Sequence, residues 1–145
     1  MNIVIATGGT GGHIFPAIKL GLTLRQKGHD VFFAGAFKDK VELLSKQGFS
    51  FMVIPSRGLI SKGFLETIAS FFQMLRALWR SFIFLRNMKP NVVVGFGGYG
   101  AFPVVMQATL LRIPTIIHEQ NVVPGKNPFK KSRILFCLRE RKSAT

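Results

Sequence analysis

The chain has 145 residues, enough for one domain. Apolar side chains make up 48% of it, including 15 Phe, which excludes a disordered or low-complexity polymer. Twenty Lys and Arg against six Asp and Glu leave +14, which favours an anionic partner. One cysteine excludes an internal disulfide framework or a cysteine-built zinc site.

The chain opens with an apolar run, residues 2–6, closed by Gly8 and Gly9. No basic segment precedes it and it is too short for a secretory leader, so it reads as a buried parallel strand and the chain as cytoplasmic. A helix is predicted over 16–27, with Pro16 in its first turn and Gly28 after its end. A strand follows over 29–34, a helix over 38–47 ended by Gly48, and a strand over 51–54 stopped by Pro55. This β-α-β-α-β order predicts an α/β fold, a Rossmann-like doubly wound parallel sheet with right-handed crossovers.

Residues 57–63 read as a loop and 64–88 as a long helix. A fourth strand (91–95), a helix (103–111) and a fifth strand (114–118) complete the regular pattern, and 119–125 form a loop. No internal repeat or linker interrupts it. The last segment, 126–145, holds seven of the 20 basic residues, and no strand-helix unit is expected to close after it.

The long helix is apolar over more than one core-facing stripe. It is long enough to span a bilayer, but Glu66, Arg76 and Arg80 lie within it. Each would cost about 2.5–3.5 kcal/mol at the centre of a spanning helix. Glu66, Gln73, Arg76, Arg80 and Asn87 share one side at helical spacing. The pattern fits a helix lying in a membrane interface, with Phe71, Phe72, Leu75, Leu78, Trp79 and Phe82 towards the lipid and Arg76 and Arg80 at headgroup level. Lys62, Arg86 and Lys89 extend the basic rim. The same helix must also cross between strands three and four, and the two roles are compatible.

Three loops carry candidate chemistry. The first, Thr7-Gly8-Gly9-Thr10-Gly11-Gly12-His13, joins a strand to a helix. Glycines there admit a phosphate close to backbone N–H groups at a helix N-terminus. No Lys-Ser/Thr pair follows, so it is not a P-loop. His13 suits a general base, or equally a helix-start imidazole bonded to backbone. The second loop, Gly95-Phe96-Gly97-Gly98-Tyr99-Gly100, matches the dinucleotide spacing G-x-G-x-x-G, with Glu119 placed as a ribose-binding acid. That fingerprint belongs on the first strand, however, and here it follows the fourth. The third, His118-Glu119-Gln120-Asn121, offers an imidazole, a carboxylate and an amide pair for sugar hydroxyls and phosphates. Three scattered His make no metal site, and the basic residues form no nucleic-acid module.

Taken together, GGTGGHIFPA (8–17), GFGGYGAFP (95–103) and HEQNVVPG (118–125) resemble the N-terminal half of the MurG family. These are the family 28 transferases that use UDP-N-acetylglucosamine to convert lipid I into lipid II for peptidoglycan. The resemblance implies a GT-B architecture of two Rossmann-like domains. It implies an inverting transfer without cofactor, and peripheral attachment at the cytoplasmic face of the membrane. Residues 1–125 would be the lipid acceptor domain, and the implied partners are lipid I, an anionic membrane surface, UDP-N-acetylglucosamine and other cell-wall synthesis proteins. By position, Thr10, Gly11 and Gly12 would touch the donor and Asn121 its sugar. His13 would act on the acceptor hydroxyl, with Glu119 close by as its orienter or as the base itself. Gly97, Gly98 and Tyr99 would hold the acceptor diphosphate. Residues 126–145 depart from the family pattern, as a frameshifted or prematurely ended reading frame would, and the 145 residues alone are expected to lack turnover.

Overall fold

The computed structural model describes residues 1–37, 40–54, 64–119 and 134–138. It contains β1 (Asn2–Gly8), α1 (Gly11–Gln26), β2 (Asp30–Ala36), α2 (Val41–Lys46), β3 (Ser50–Val53), α3 (Phe64–Met88), β4 (Val92–Gly95), α4 (Phe102–Leu110), β5 (Thr115–Glu119) and β6 (Ile134–Leu138). The six strands form one sheet in the order β3-β2-β1-β4-β5-β6, and every pairing is parallel.

The alternation of each strand sorts the core into two layers. Ile3 and Ile5 of β1, Val31 and Phe33 of β2, and Val94 of β4 point to the face covered by α1 and α2. Val4 and Ala6, Ala34 and Val93 point to the other, where Ala77 and Leu85 of α3 and Val104, Val105 and Ala108 of α4 complete a second cluster. Burial on both faces explains why these strands read as continuous apolar runs.

Most elements fall within one or two residues of their sequence-based bounds. Helix α1 is an exception. It begins at Gly11 because the Thr10 carbonyl accepts the backbone N–H groups of both His13 (3.0 Å) and Ile14 (3.1 Å). Pro16 therefore lies inside the helix rather than in its opening turn. The second exception is β6. Ile134–Leu138 extends the sheet beside β5, with Cys137 opposite His118 and Leu138 opposite Glu119. A sixth strand thus lies within the segment in which no further strand-helix unit was expected.

Candidate active site at the sheet switch point

The sheet order reverses direction between β1 and β4. From β1 the chain builds outward through β2 and β3, and from β4 through β5 and β6. In open parallel sheets the crevice beyond the strand ends at such a point is where ligands bind. Here it receives both glycine loops.

The loops touch. A Cβ built on Gly8 would lie 3.5 Å from the Gly98 Cα and 3.6 Å from the Gly97 carbonyl oxygen. Gly97 and Gly98 adopt φ of +78° and +81°, which residues with side chains rarely reach, so the β4 exit can turn back over the first loop. The turn closes with the Ala101 N–H donating to the Gly98 carbonyl at 3.1 Å.

Between the loops sits the His13 imidazole. A Cβ on Gly97 would be 3.4 Å from its Cε1, and one on Gly98 would be 3.5 Å from its Cδ2. Its Nδ1 is buried and, among the described residues, has no hydrogen-bond partner. A ring nitrogen held this way is poised to meet a ligand group, and desolvation without a partner is otherwise unfavourable. The imidazole is therefore not a backbone-bonded helix-start residue at Nδ1.

Two helices aim their N-termini at this crevice. Neither α1 nor α4 has an acidic residue in its first turn or a side-chain cap hydrogen bond. The partial positive charge of each end thus meets no carboxylate from its own first turn, which favours an anion. Thr10 and Gly12 are exposed at the start of α1, so ligand can reach the residues expected to meet the donor. Gly11 beside them packs against the Phe15 ring.

On the far side of the β4 exit, His118 stacks on Phe96, with ring centroids 4.9 Å apart at 27°. Phe96 belongs to the α1-side core, so His118 faces the same layer as His13. Two imidazoles thus flank the segment 96–98. His118 carries weight that motif reading alone did not give it, and strand alternation from Ile116 was the available signal. Glu119 closes β5, with its backbone paired to Leu138. Asn121 lies outside the described residues, as does Lys62. Among the described residues, no group of three His, Cys, Asp or Glu is arranged to hold a metal.

Helix α3 presents a separate surface. Ala77, Ser81 and Leu85 bury one side of it, and Ser81 Oγ donates back to the Ala77 carbonyl at 2.8 Å. The opposite side exposes Ile68, Phe71, Phe72, Leu75, Trp79 and Ile83, with Phe72 and Trp79 each 64% accessible. Arg76, Arg80 and Arg86 are exposed along its flanks. Two expected members of this face, Leu78 and Phe82, are only partly exposed. Phe82 stacks on Trp79 at 6.0 Å and lies under the Arg86 guanidinium. Ile68 and Ile83 take their places, at the spacing 68, 72, 75, 79, 83 that marks one helical stripe. The segment Ile68–Met88 is long and apolar enough to cross a membrane by length and composition.

Residues 3–136 match the glycosyltransferase family 28 N-terminal domain. The chain is 41% identical over 128 residues to the UDP-N-acetylglucosamine--N-acetylmuramyl-(pentapeptide) pyrophosphoryl-undecaprenol N-acetylglucosamine transferase of Carboxydothermus hydrogenoformans, covering 86% of this chain and 34% of that protein. It is 43% identical over 128 residues to the transferase of the same name from Anaeromyxobacter sp., again covering 86% of this chain and 34% of the relative. The chain thus spans about a third of the length of these curated relatives. Among solved structures, Acinetobacter baumannii MurG superposes with a TM-score of 0.68 at 28% identity, covering 92% of this chain and 45% of that one. The spinosyn rhamnosyltransferase SpnG shares the fold at a TM-score of 0.63 and 18% identity, over 89% of this chain and 37% of that one. The match extends past residue 125 into the segment that carries β6. The chain belongs to glycosyltransferase family 28, as an N-terminal domain of the MurG type.

Proposed function

We propose that this chain is the acceptor-binding half of an inverting transferase that moves N-acetylglucosamine from UDP-N-acetylglucosamine onto lipid I, giving lipid II. The observation that carries this reading is the meeting of the two glycine loops at the switch point, with the His13 imidazole between them and its Nδ1 unpartnered. A diphosphate set against the loops has backbone N–H groups and two helix N-termini to neutralise it. His13 then takes the proton from the acceptor hydroxyl as its oxygen attacks the anomeric carbon of the donor sugar. The bond to UDP breaks on the opposite face, UDP leaves with the bonding electrons, and the configuration inverts. Glu119, at the end of β5, orients the base or the acceptor or serves as the base itself. Thr10, Gly11, Gly12 and Asn121 contact the donor, and Gly97, Gly98 and Tyr99 hold the acceptor diphosphate. The chemistry calls for no cofactor beyond the donor.

The substrate names of the 41% identical relative and the outward apolar face of α3 support the lipid acceptor. Aromatic side chains flanked by exposed arginines suit the surface of an anionic membrane and support a peripheral attachment, at the cytoplasmic face in this reading. Vesicle flotation tests the acceptor reading. The 145-residue chain should bind anionic vesicles carrying lipid I more tightly than the same vesicles without it, and excess pyrophosphate should remove the difference. Equal binding to both would refute it.

A further inference from the structure

Beside the switch-point crevice lies a cavity of about 400 Å³, lined by Met74 of α3, Gly98 and Tyr99 of the second glycine loop, and Phe102 at the start of α4. We propose that it receives the first isoprene units of a polyprenyl diphosphate whose phosphates rest against the glycine loops. The assignment builds on the acceptor reading above and adds the path of the hydrocarbon.

Three observations carry it. First, the cavity shares a wall with the crevice. The residue that lines it, Gly98, also packs against His13 and Gly8. A ligand with its anionic head in the crevice has its next atoms at the cavity mouth. Second, the side chains supplied there are apolar and held in water. Tyr99 is 58% and Phe102 41% accessible, yet Tyr99 sits on a short turn fixed by the positive φ of Gly97 and Gly98 and by the Gly98–Ala101 hydrogen bond, and Phe102 opens α4 directly after it. Ordered aromatic side chains around a cavity of this size are what an apolar ligand segment requires. Third, Met74 stands on α3 between the core-facing residue Ala77 and the outward-facing Phe71, each one helical turn away. Met74 therefore carries the cavity wall round towards the exposed apolar face of the helix. A charged head followed at once by hydrocarbon, with the remainder entering lipid, matches that sequence of surfaces. A water-soluble sugar phosphate would leave the apolar part unused.

Titration calorimetry on the 145-residue chain tests the assignment. The probes are inorganic pyrophosphate, dimethylallyl diphosphate and geranyl diphosphate, all below their aggregation limits. Affinity should rise about tenfold or more from pyrophosphate to geranyl diphosphate as hydrocarbon leaves water. Met74→Ser and Phe102→Ser should each bring the ratio of the two affinities towards one. Leu110→Ser, at an exposed apolar position at the far end of α4, should keep it. Pyrophosphate binding with no gain from added isoprene units overturns the cavity assignment and leaves the phosphate site standing. A gain that Trp79→Ser removes and Met74→Ser does not also overturns it, placing the tail along the outer face of α3. Failure of every diphosphate to bind overturns the phosphate site and this inference with it.

Discussion

At the residue scale the site depends on glycine backbone, held by positive φ at Gly97 and Gly98 and by close approach at Gly100. His13 lies against the backbone of Gly97 and Gly98, whose positive φ favours glycine at both positions. In a chain competent for transfer, His13→Ala should lower kcat by about 10²–10⁴-fold, the usual range for a lost general base. Steady-state kinetics with KM for both substrates checks this. A rise in KM with kcat unchanged would instead make His13 a binding residue. Gly100 is constrained differently. A Cβ there would stand 2.7 Å from both the backbone nitrogen and the Cβ of Ala36, at the end of β2. Gly100→Ala should cost about 1–3 kcal/mol, because the second glycine loop and the end of β2 must move apart, and denaturant unfolding reads it directly. The motif letters showed that glycine mattered at both loops. They did not show that the loops touch each other, since that contact joins residues far apart in sequence. For the same reason His118 looked like one polar residue of a rim loop until its stacking on Phe96 was seen.

At the scale of elements, α3 is a crossover helix with two working faces. Ala77 and Ser81 let it approach α4 closely. Ala77→Leu should therefore destabilise the fold by about 1–3 kcal/mol by overpacking, measured as a lower urea midpoint with unchanged slope. The outward face is independent of that packing. Arg76→Gln with Arg80→Gln should weaken binding to anionic vesicles at low salt by about thirtyfold, at about 1 kcal/mol for each charge near the surface. Neutral vesicles should show little change. The length and two-sided character of α3 were legible from its wide apolar sector and the polar residues at helical spacing. The partial cover of Leu78 and Phe82 was not, because it depends on which side chains lie over them. Helix α1 shows a related limit: Pro16 suggested an opening turn, but backbone bonding at Thr10 starts the helix earlier.

At the scale of the whole molecule, the parallel doubly wound sheet followed from the alternation of apolar runs and glycine-ended helices. Strand order is what turns that pattern into a site, since only the reversal between β1 and β4 brings the first and second loops together. Strand β6 escaped the sequence reading because its five residues sit in a basic segment, and its pairing partner β5 supplies what local pattern lacks. The chain spans about a third of its curated relatives, and the donor side of the reaction is expected from the part of those proteins beyond the matched region. The central claim is that this domain presents lipid I to that donor. Its most direct test is a chimera joining residues 1–119 of this chain to the remainder of the Carboxydothermus hydrogenoformans transferase. Purified, and shown to fold and to bind UDP-N-acetylglucosamine, the chimera is mixed with lipid I and labelled donor. Label should appear in lipid II and be lost in the His13→Ala chimera. A folded chimera that binds donor but transfers no sugar to lipid I would contradict the account.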